Sequence, residues 1–229
     1  MIDIHSHVLP MVDDGSSCKE NSLEMLRECV SQGITDIFLT PHHRKPYLHR
    51  TSNIEKVFNS FKEEVEQEKL PINLYLGQEI RVQDNLKELL SEQKVLTMNN
   101  TKYVLLEFDF NVEQEISEVV YELSRNGYKP IVAHVERYSY VDLDTVFEIK
   151  NSGGLIQVNA ASLFGLFGLG KAKFVDKLFK NCLVDFVASD IHHRRKAFME
   201  KAYNKVKKKF GEKAAEIVFK LNAQKIIKG

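Results

Sequence analysis

Residues 103–134 read YVLLEFDFNVEQEISEVVYELSRNGYKPIVAH, and they contain the unit from which the fold can be inferred. It opens and closes with short apolar runs, Tyr103–Phe108 and Pro130–His134, which are typical of strands buried on both faces. Between them, Glu113–Arg125 has the amphipathic pattern of a surface helix, and Gly127 follows where helices commonly end in a left-handed residue. A strand, a helix and a second strand in this order predict two parallel strands joined by a helical crossover.

The same alternation extends over the whole chain. The other predicted strands are Asp3–His5, Asp36–Thr40, Asn73–Glu79, Leu155–Asn159 and Asp185–Ser189. The other predicted helices are Glu20–Gln32, Ile54–Glu68, Asn85–Glu92, Leu143–Lys150 and Ala172–Asn181, with one or two more over residues 201–228. Seven strand–helix units favour an α/β fold: a distorted TIM-like (β/α)7 barrel of parallel strands ringed by helices, in a single domain over residues 1–229. A doubly wound open sheet is the alternative.

Composition argues against several classes of protein. The chain has 229 residues, 43% of them hydrophobic and 28% charged, which is enough for a sizeable core. Its 32 basic residues balance its 32 acidic residues, so we expect no nucleic-acid partner. Cys18, Cys29 and Cys182 are odd in number and scattered, which favours a reducing cytoplasm over a disulfide framework. No apolar run approaches the length of a membrane span, so we expect no stable membrane insertion.

Imidazoles and carboxylates concentrate at the ends of the predicted strands. Seven of the eight histidines lie there, and only His49 does not. In a parallel barrel these ends meet on one rim. The side chains that would gather are His5, His7, Asp14, His42, Glu79, Glu107, His134, Asp190 and His192. Crowding buried charges of one sign is costly without a cation, and so many ligands exceed what one ion takes from protein, so the pattern predicts several metal ions.

This set of motifs resembles that of the PHP (polymerase and histidinol phosphatase) superfamily. One branch is most similar: the manganese-dependent protein-tyrosine phosphatases of capsular and exopolysaccharide loci in Gram-positive bacteria. The segments that carry the resemblance are Met1–His7, Val12–Gly15, Gly77–Glu79, Tyr103–Phe108, Ala133–Arg137, Gln157–Asn159 and Ala188–Asp190. It extends over the whole chain and implies a distorted seven-stranded barrel around three ions. Mn²⁺ is the implied ion, and Fe, Zn or Mg suit the same nitrogen and oxygen ligands.

The resemblance also implies the roles of individual residues. It assigns the ligands to three ions: His5, His7, Glu79 and Asp190 to the first; Glu79, Glu107 and His134 to the second; Asp14, His42 and His192 to the third. Carboxylates at positions 14 and 107, often histidine in other PHP phosphatases, fit the tyrosine-phosphatase branch. Arg137, Asp14 and His192 would be catalytic, with Arg137 and the third ion holding the phosphoryl group. The other candidates for substrate contact are Arg194, Arg195 and His43.

The activity implied by the resemblance is hydrolysis of phosphotyrosine on the tail of a cognate bacterial tyrosine kinase, in control of capsule or exopolysaccharide synthesis. No phospho-enzyme is expected, because none of the three cysteines is followed six residues later by the arginine of cysteine phosphatases. A small-molecule phosphomonoesterase of the histidinol-phosphatase type is the alternative enzyme. A catalytically inert, metal-stabilised scaffold that binds a kinase is the alternative from another class. Gln157, Asn159 and Ser162 are candidates to line the pocket.

Overall fold

Nine short strands are present in the computed structural model, which describes residues 1–229. They are β1 (Ile2–Asp3), β2 (Asp36–Leu39), β3 (His42–His43), β4 (Asn73–Leu76), β5 (Glu79–Arg81), β6 (Tyr103–Glu107), β7 (Lys129–Val132), β8 (Leu155–Asn159) and β9 (Phe186–Ala188). Every predicted strand has a counterpart, but Asn73–Glu79 is divided between β4 and β5. The strand β3 was not expected from the sequence.

Nine helices surround the strands. They are α1 (Lys19–Ser31), α2 (Thr51–Gln67), α3 (Leu86–Ser91), α4 (Ile116–Arg125), α5 (Leu143–Asn151), α6 (Leu169–Lys180), α7 (Met199–Phe210), α8 (Glu212–Glu216) and α9 (Asn222–Lys228). A π-helical turn, Ile217–Leu221, joins α8 to α9. None of the helices combines the length and the apolar character that a membrane crossing requires.

All strand pairs are parallel, and the strands form two sheets, in the orders β1-β2-β4 and β3-β5-β6-β7-β8-β9. The segment that follows β1 is joined to the segment that follows β9 by two backbone hydrogen bonds. His7 N–H donates to Ile191 O at 3.0 Å, and Asp190 N–H donates to His5 O at 2.9 Å. The sheets form a half-barrel with an α/β fold, consistent with a distorted barrel. The strands number nine in two sheets rather than seven in one.

Two strand positions are interrupted immediately before a predicted ligand. β2 stops at Leu39 and β3 starts at His42, while β4 stops at Leu76 and β5 starts at Glu79. Gly77 lies at the second break, where a Cβ would be 2.6 Å from the sulfur of Met98, so a larger residue would require the Met98 side chain to move. The shift pairs His42 with Glu79 in the β3–β5 register, so two predicted ligands lie side by side.

The core has two parts because successive strand residues point to opposite faces. On β6, Val104 and Leu106 pack between the sheet and the helices, whereas Tyr103 and Leu105 pack in a smaller cluster inside the half-barrel. That inner cluster includes Ala223 and Ile226 of α9, among other residues. The carboxyl ends of the strands therefore hold the polar side chains.

Candidate metal centre

All nine predicted ligand side chains lie together at the carboxyl ends of the strands. Seven are buried, His192 is half-buried and Asp14 is exposed. Four sets have ligand atoms within 4.8 Å of one another, close enough to hold a metal ion: His7, Asp14, His42 and His192; His5, His7 and Asp190; His5, Glu79 and His134; His42, Glu79 and Glu107. Because the sets share members, they form one continuous cluster.

Glu79 occupies the middle of this cluster and contacts four imidazoles. Its Oε1 lies 2.8 Å from His134 Nε2. Its Oε2 lies 2.7 Å from His42 Nδ1 and 3.4 Å from Nε2 of both His5 and His7. Burial works to raise the pKa of this carboxyl, but the charges of His5 and His42 outweigh burial, so the pKa lies well below its ordinary value. Glu79 is therefore ionised and has both oxygens directed at possible cation positions.

The Nε2 atoms of His5 and His7 face each other 3.2 Å apart. The other ring nitrogen of each meets an acceptor: His5 Nδ1–H donates to Gln157 Oε1 at 3.1 Å, and His7 Nδ1–H donates to Asp13 Oδ2 at 2.7 Å. The oxygen of the Gln157 amide is identified by a second bond, from the backbone N–H of His134 at 2.9 Å. Both Nε2 lone pairs thus point at one position, which requires positive charge there, either a proton or a metal ion.

The pKa values of the histidines reflect this demand for positive charge. Burial lowers the pKa of His5, but the carboxylates of Glu79 and Asp190 overcome burial and raise it to about 9. The pKa of His7 also lies well above its ordinary value, because Asp13 outweighs the effect of burial. Burial dominates at His134 and lowers its pKa to about 4, so this imidazole is neutral at pH 7. A neutral imidazole is the form that binds metal.

Asp190 has one oxygen held by donors and one left for the cluster. Its Oδ2 accepts hydrogen bonds from Asn159 Nδ2 at 2.7 Å and from Arg137 Nη1 at 3.3 Å. Its Oδ1 lies 3.4 Å from His7 Nε2 and 3.7 Å from His5 Nε2. The two supporting bonds orient the carboxylate, so that Oδ1 points at the position between the two imidazoles.

Glu107 experiences opposing charges at the edge of the cluster. Burial, followed by the charge of Glu79, raises the pKa of Glu107 to about 7, although Arg81 and Arg44 oppose this rise. The guanidinium nitrogens of Arg81 and Arg44 lie 3.4 and 3.9 Å from Glu107 Oε2. On the other side, Glu107 Oε1 lies 4.0 Å from His134 Nε2. A cation between Glu107, Glu79 and His134 would favour the ionised form of both carboxyls.

Asp14 lies at the exposed rim of the cluster, with its side chain 40% accessible. Its Oδ1 is 3.4 Å from His42 Nε2 and 3.6 Å from His192 Nε2, and its Oδ2 accepts a hydrogen bond from Arg44 Nη2 at 3.0 Å. A hydrogen bond with His192 lowers the pKa of Asp14, and burial only partly opposes it. Asp14, His42 and His192 thus form the part of the cluster that is nearest to solvent.

The donor set fits divalent cations. Buried polar atoms without a hydrogen-bond partner are concentrated here and include Glu107 Oε2 and His134 Nδ1. A buried unsatisfied polar atom ordinarily costs about 1–3 kcal/mol, so several in one place call for a ligand. Imidazole nitrogens and carboxylate oxygens without thiolate suit Mn, Fe, Zn or Mg. The residues present therefore fit the metals expected from the sequence.

Two supporting residues lie behind the predicted ligands. Asp13 was not among the predicted ligands, although it adjoins Asp14, and an acidic pair before a glycine was the one signal available. It bonds His7 and also accepts the backbone N–H of His42 at 3.0 Å. Gln157, a candidate for the pocket lining, instead supports His5 and the His134 backbone. Both act on the orientation of imidazoles.

Arg137 lies at the mouth of the cluster and its side chain is 25% accessible. Its guanidinium carbon lies 4.3 Å from the centre of the Phe110 ring and 5.3 Å from that of Phe167. Arg194 and Arg195 follow His192 on an exposed loop, where neither side chain has a hydrogen-bond or ion-pair partner. These three cations were the predicted phosphate contacts, and only Arg137 touches a predicted ligand.

His43 is separated from the ligand cluster. It follows His42 directly on β3, so its side chain leaves the strand on the other face. It is buried, none of the four sets of ligand atoms includes it, and burial lowers its pKa. A direct contact between His43 and substrate stays a prediction, which its burial does not favour.

Three comparisons with known proteins agree with one another. YwqE of Bacillus subtilis, a tyrosine-protein phosphatase, is 34% identical over 217 residues, which cover 92% of this chain and 85% of that protein. CapC of Staphylococcus aureus is 40% identical over 200 residues, covering 84% and 77% of the two chains. The chain also superposes on a chain from the crystal structures of YwqE and of CpsB from Streptococcus pneumoniae, which are described as unique metal-dependent tyrosine phosphatases. The TM-score is 0.89 at 32% identity, and the match covers 94% of this chain and 90% of the other. The model of the family described as capsular polysaccharide synthesis, CpsB/CapC, matches residues 1–228, and the chain belongs to this family.

Proposed function

We propose that this chain is a metal-dependent protein-tyrosine phosphatase that hydrolyses the phosphate monoester of tyrosine. The observation that carries the proposal is the convergence of nine imidazole and carboxylate side chains beside Arg137. A cluster this rich in carboxylates repels a phosphate dianion unless cations neutralise it, because buried like charges are not screened by water. Metal dependence and phosphate binding therefore require each other here.

The proposed ligands divide among three cations: His5, His7, Glu79 and Asp190 hold the first; Glu79, Glu107 and His134 hold the second; Asp14, His42 and His192 hold the third. The facing Nε2 atoms of His5 and His7 support the first group. The contact of Glu79 with His134, at 2.8 Å, supports the second. In the third group, His42 and His192 approach the same oxygen of Asp14.

Divalent cations held at these positions would supply positive charge to the phosphoryl oxygens and would lower the pKa of water. Arg137 holds two non-bridging phosphoryl oxygens through its planar fork of N–H donors. Asp14 and His192 lie at the exposed end of the cluster, where the phosphoryl group enters, and would hold the third cation against it. As the water oxygen bonds to phosphorus, the bond from phosphorus to the tyrosine oxygen breaks. One proton of the water ends on the tyrosine oxygen and the other stays on the phosphate, so tyrosine and hydrogen phosphate leave. Because a phenol has a pKa near 10, this leaving group needs less help from an acid than an aliphatic alcohol.

The aromatic surroundings of Arg137 favour an aryl phosphate. Phe110 packs closely against Arg137, and Phe167, on the loop before α6, also lies within 5.3 Å of the Arg137 guanidinium carbon. Aromatic side chains bind another aromatic ring through offset or edge contacts. A phosphate held by Arg137 would place its phenyl ring beside Phe167. Exposed Arg194 and Arg195 would attract the negative charge of the phosphorylated chain.

The physiological setting follows from the family. We propose Mn²⁺ as the ion, the cytoplasm as the location and a phosphotyrosine-bearing bacterial tyrosine kinase as the substrate, in control of capsule or exopolysaccharide synthesis. Membership of the capsular polysaccharide synthesis family supports this setting. The net charge of zero supports a protein substrate over nucleic acid.

We also propose that β2 and β3 together occupy one strand position of a distorted barrel, and that β4 and β5 together occupy another. The nine strands then fill seven positions, in one metallophosphatase domain over residues 1–229. The strand pairing supports the number seven, because β2 pairs with β4 and β3, which follows β2, pairs with β5, which follows β4. Proposed ligands come from positions between His5 and His192, so the cluster requires most of the chain.

Substrate preference tests the proposed activity. Protein stripped with chelator and reloaded with Mn²⁺ is assayed on a phosphotyrosine peptide, histidinol phosphate and a phosphodiester. We expect the highest kcat/KM for the peptide and loss of turnover after chelation. A preference for histidinol phosphate would identify a small-molecule phosphatase, and a preference for the diester would identify a nuclease-like enzyme. Either result would overturn the proposal.

A further inference from the structure

The parallel ladder between β6 and β7 is interrupted by a side-chain hydroxyl. Leu106 pairs with Val132, and Ala133 N–H donates to Leu106 O at 2.9 Å, which is the last direct bond between the strands. In this register the next ladder bond would run from Phe108 N–H to Ala133 O. Instead, Phe108 N–H donates to Tyr138 Oη at 3.0 Å, and Tyr138 O–H donates to Ala133 O at 2.9 Å. One phenolic oxygen thus replaces one ladder bond with two.

The interruption lies between two proposed ligands of the same cation. Glu107 immediately precedes Phe108, and His134 immediately follows Ala133. The hydroxyl holds the two backbones further apart than a direct bond would, at the point where these ligand side chains leave the strands. Glu107 Oε1 and His134 Nε2 lie 4.0 Å apart, which leaves room for an ion to bind both.

The local backbone brings Tyr138 back to this position. His134 adopts a left-handed conformation with φ of 33°, and a single 3-10 turn, Val135–Arg137, follows it. The turn reverses the chain, so that the Tyr138 side chain returns to the strand ends. Its ring is buried and packs edge-on against Phe108, with the two ring centres 6.0 Å apart. The packing fixes the hydroxyl, which has no freedom to leave the ladder.

We propose that Tyr138 is a positioning residue: its hydroxyl, inserted between β6 and β7, sets the separation of Glu107 and His134 that the second cation requires. This inference rests on the proposed metal centre. Removal of the hydroxyl lets the direct bond from Phe108 N–H to Ala133 O form, so the strands close and the ligand spacing changes. The metal-free fold loses little, because a ladder bond replaces the two bonds of the hydroxyl.

The experiment compares Tyr138→Phe with Tyr140→Phe. Tyr140 stacks on Tyr138 with ring centres 6.1 Å apart, but its hydroxyl has no hydrogen-bond partner, so it is a matched control for removal of a phenolic oxygen. Mn²⁺ binding is measured by titration against a competing chelator, and unfolding is measured in excess chelator. We expect Tyr138→Phe to lower the affinity for one Mn²⁺ by about 10-fold or more, the usual effect of losing a supporting group. The stability of the metal-free protein should change little. Tyr140→Phe should bind as the wild type does.

The results separate this inference from the metal centre itself. Wild-type protein that binds no Mn²⁺ contradicts both. If the wild type binds Mn²⁺ and Tyr138→Phe binds it with the same affinity, the positioning role alone is overturned. This holds also when Tyr138→Phe lowers the stability of the metal-free protein. If Tyr138→Phe does not fold, Tyr138→Leu is titrated in the same way, and failure of both variants to fold shows that the tyrosine is structural and overturns the inference.

Discussion

His7 and Asp13 are joined by a hydrogen bond of 2.7 Å between Nδ1 and Oδ2, and both side chains are inaccessible to solvent. The same carboxylate accepts the backbone N–H of His42 at 3.0 Å, and its Oδ1 accepts that of Gly15 at 2.9 Å. Asp13 therefore connects His7, in the segment after β1, with the loop at Gly15 and the start of β3. It fixes which nitrogen of His7 carries the proton and leaves Nε2 for a cation.

We predict that Asp13→Asn weakens Mn²⁺ binding by about 10- to 100-fold, because an amide does not polarise the imidazole as a carboxylate does. The measurement is chelator competition on the purified variant. Asp142→Asn is the control, because Asp142 caps α5 through Thr145, and asparagine is an equally good cap. Equal Mn²⁺ affinity in Asp13→Asn and wild type would show that Asp13 only stabilises the loop.

Arg137→Ala should lower kcat/KM for a phosphotyrosine peptide by about 10²- to 10³-fold, the usual effect of removing a donor to a developing charge. Mn²⁺ binding should persist, because Asp190 Oδ2 keeps its bond from Asn159. Steady-state kinetics and elemental analysis on the same sample check both parts. Arg125→Ala is a control, because Arg125 contacts Tyr121 on the surface of α4. Undiminished turnover in Arg137→Ala would exclude the proposed phosphate contact.

Phe167→Ala should reduce the preference for aryl over alkyl phosphates. An aromatic contact contributes about 0.5–1.5 kcal/mol, so we expect kcat/KM to fall about 2- to 12-fold for a phosphotyrosine peptide and to stay unchanged for a phosphoserine peptide. Leu166→Ala, an exposed residue of the same loop, controls for the loop itself. An equal fall for both peptides would mean that Phe167 positions Arg137 and does not contact the substrate ring.

The metal-free protein should lose stability as the pH rises from 6.5 to 9. The folded chain raises the pKa of His5 from 6.5 to about 9, so the bound proton stabilises the fold fully below 6.5, and this contribution disappears as the pH passes through 9. Glu107, with its pKa raised to about 7, acts in the same direction. Urea unfolding in excess chelator measures the effect. With Mn²⁺ bound the cation replaces the proton, and the decline should vanish. A metal-free stability that increases over this range is the contrary result.

The clustering of the nine predicted ligand side chains could be foreseen, because parallel strands place their carboxyl ends on one rim. Each of the nine side chains follows or ends a buried apolar run, and this pattern is visible without coordinates. The strand β3 was not predictable from periodicity, because two histidines carry no apolar signal. The break at Gly77 depends on its contact with Met98, which is distant in sequence.

The residues that support the predicted ligands were harder to identify than the predicted ligands themselves. Asp13 precedes Asp14 and Gly15, and sequence gives no means to tell a ligand from the carboxylate behind it. Gly15 explains the motif in part, since a Cβ there would lie 2.0 Å from the His7 carbonyl oxygen. Tyr138 reads as an ordinary core aromatic, and its role depends on a hydroxyl inserted into a ladder that only three-dimensional structure reveals.

The most direct test of the account is the number of cations that the cluster holds. Purified protein is stripped with chelator, dialysed against Mn²⁺ and analysed for bound metal, with phosphotyrosine turnover measured on the same samples. We expect three Mn²⁺ to return per chain and turnover to be lost and restored with them. Full turnover in protein devoid of bound divalent cations would contradict it.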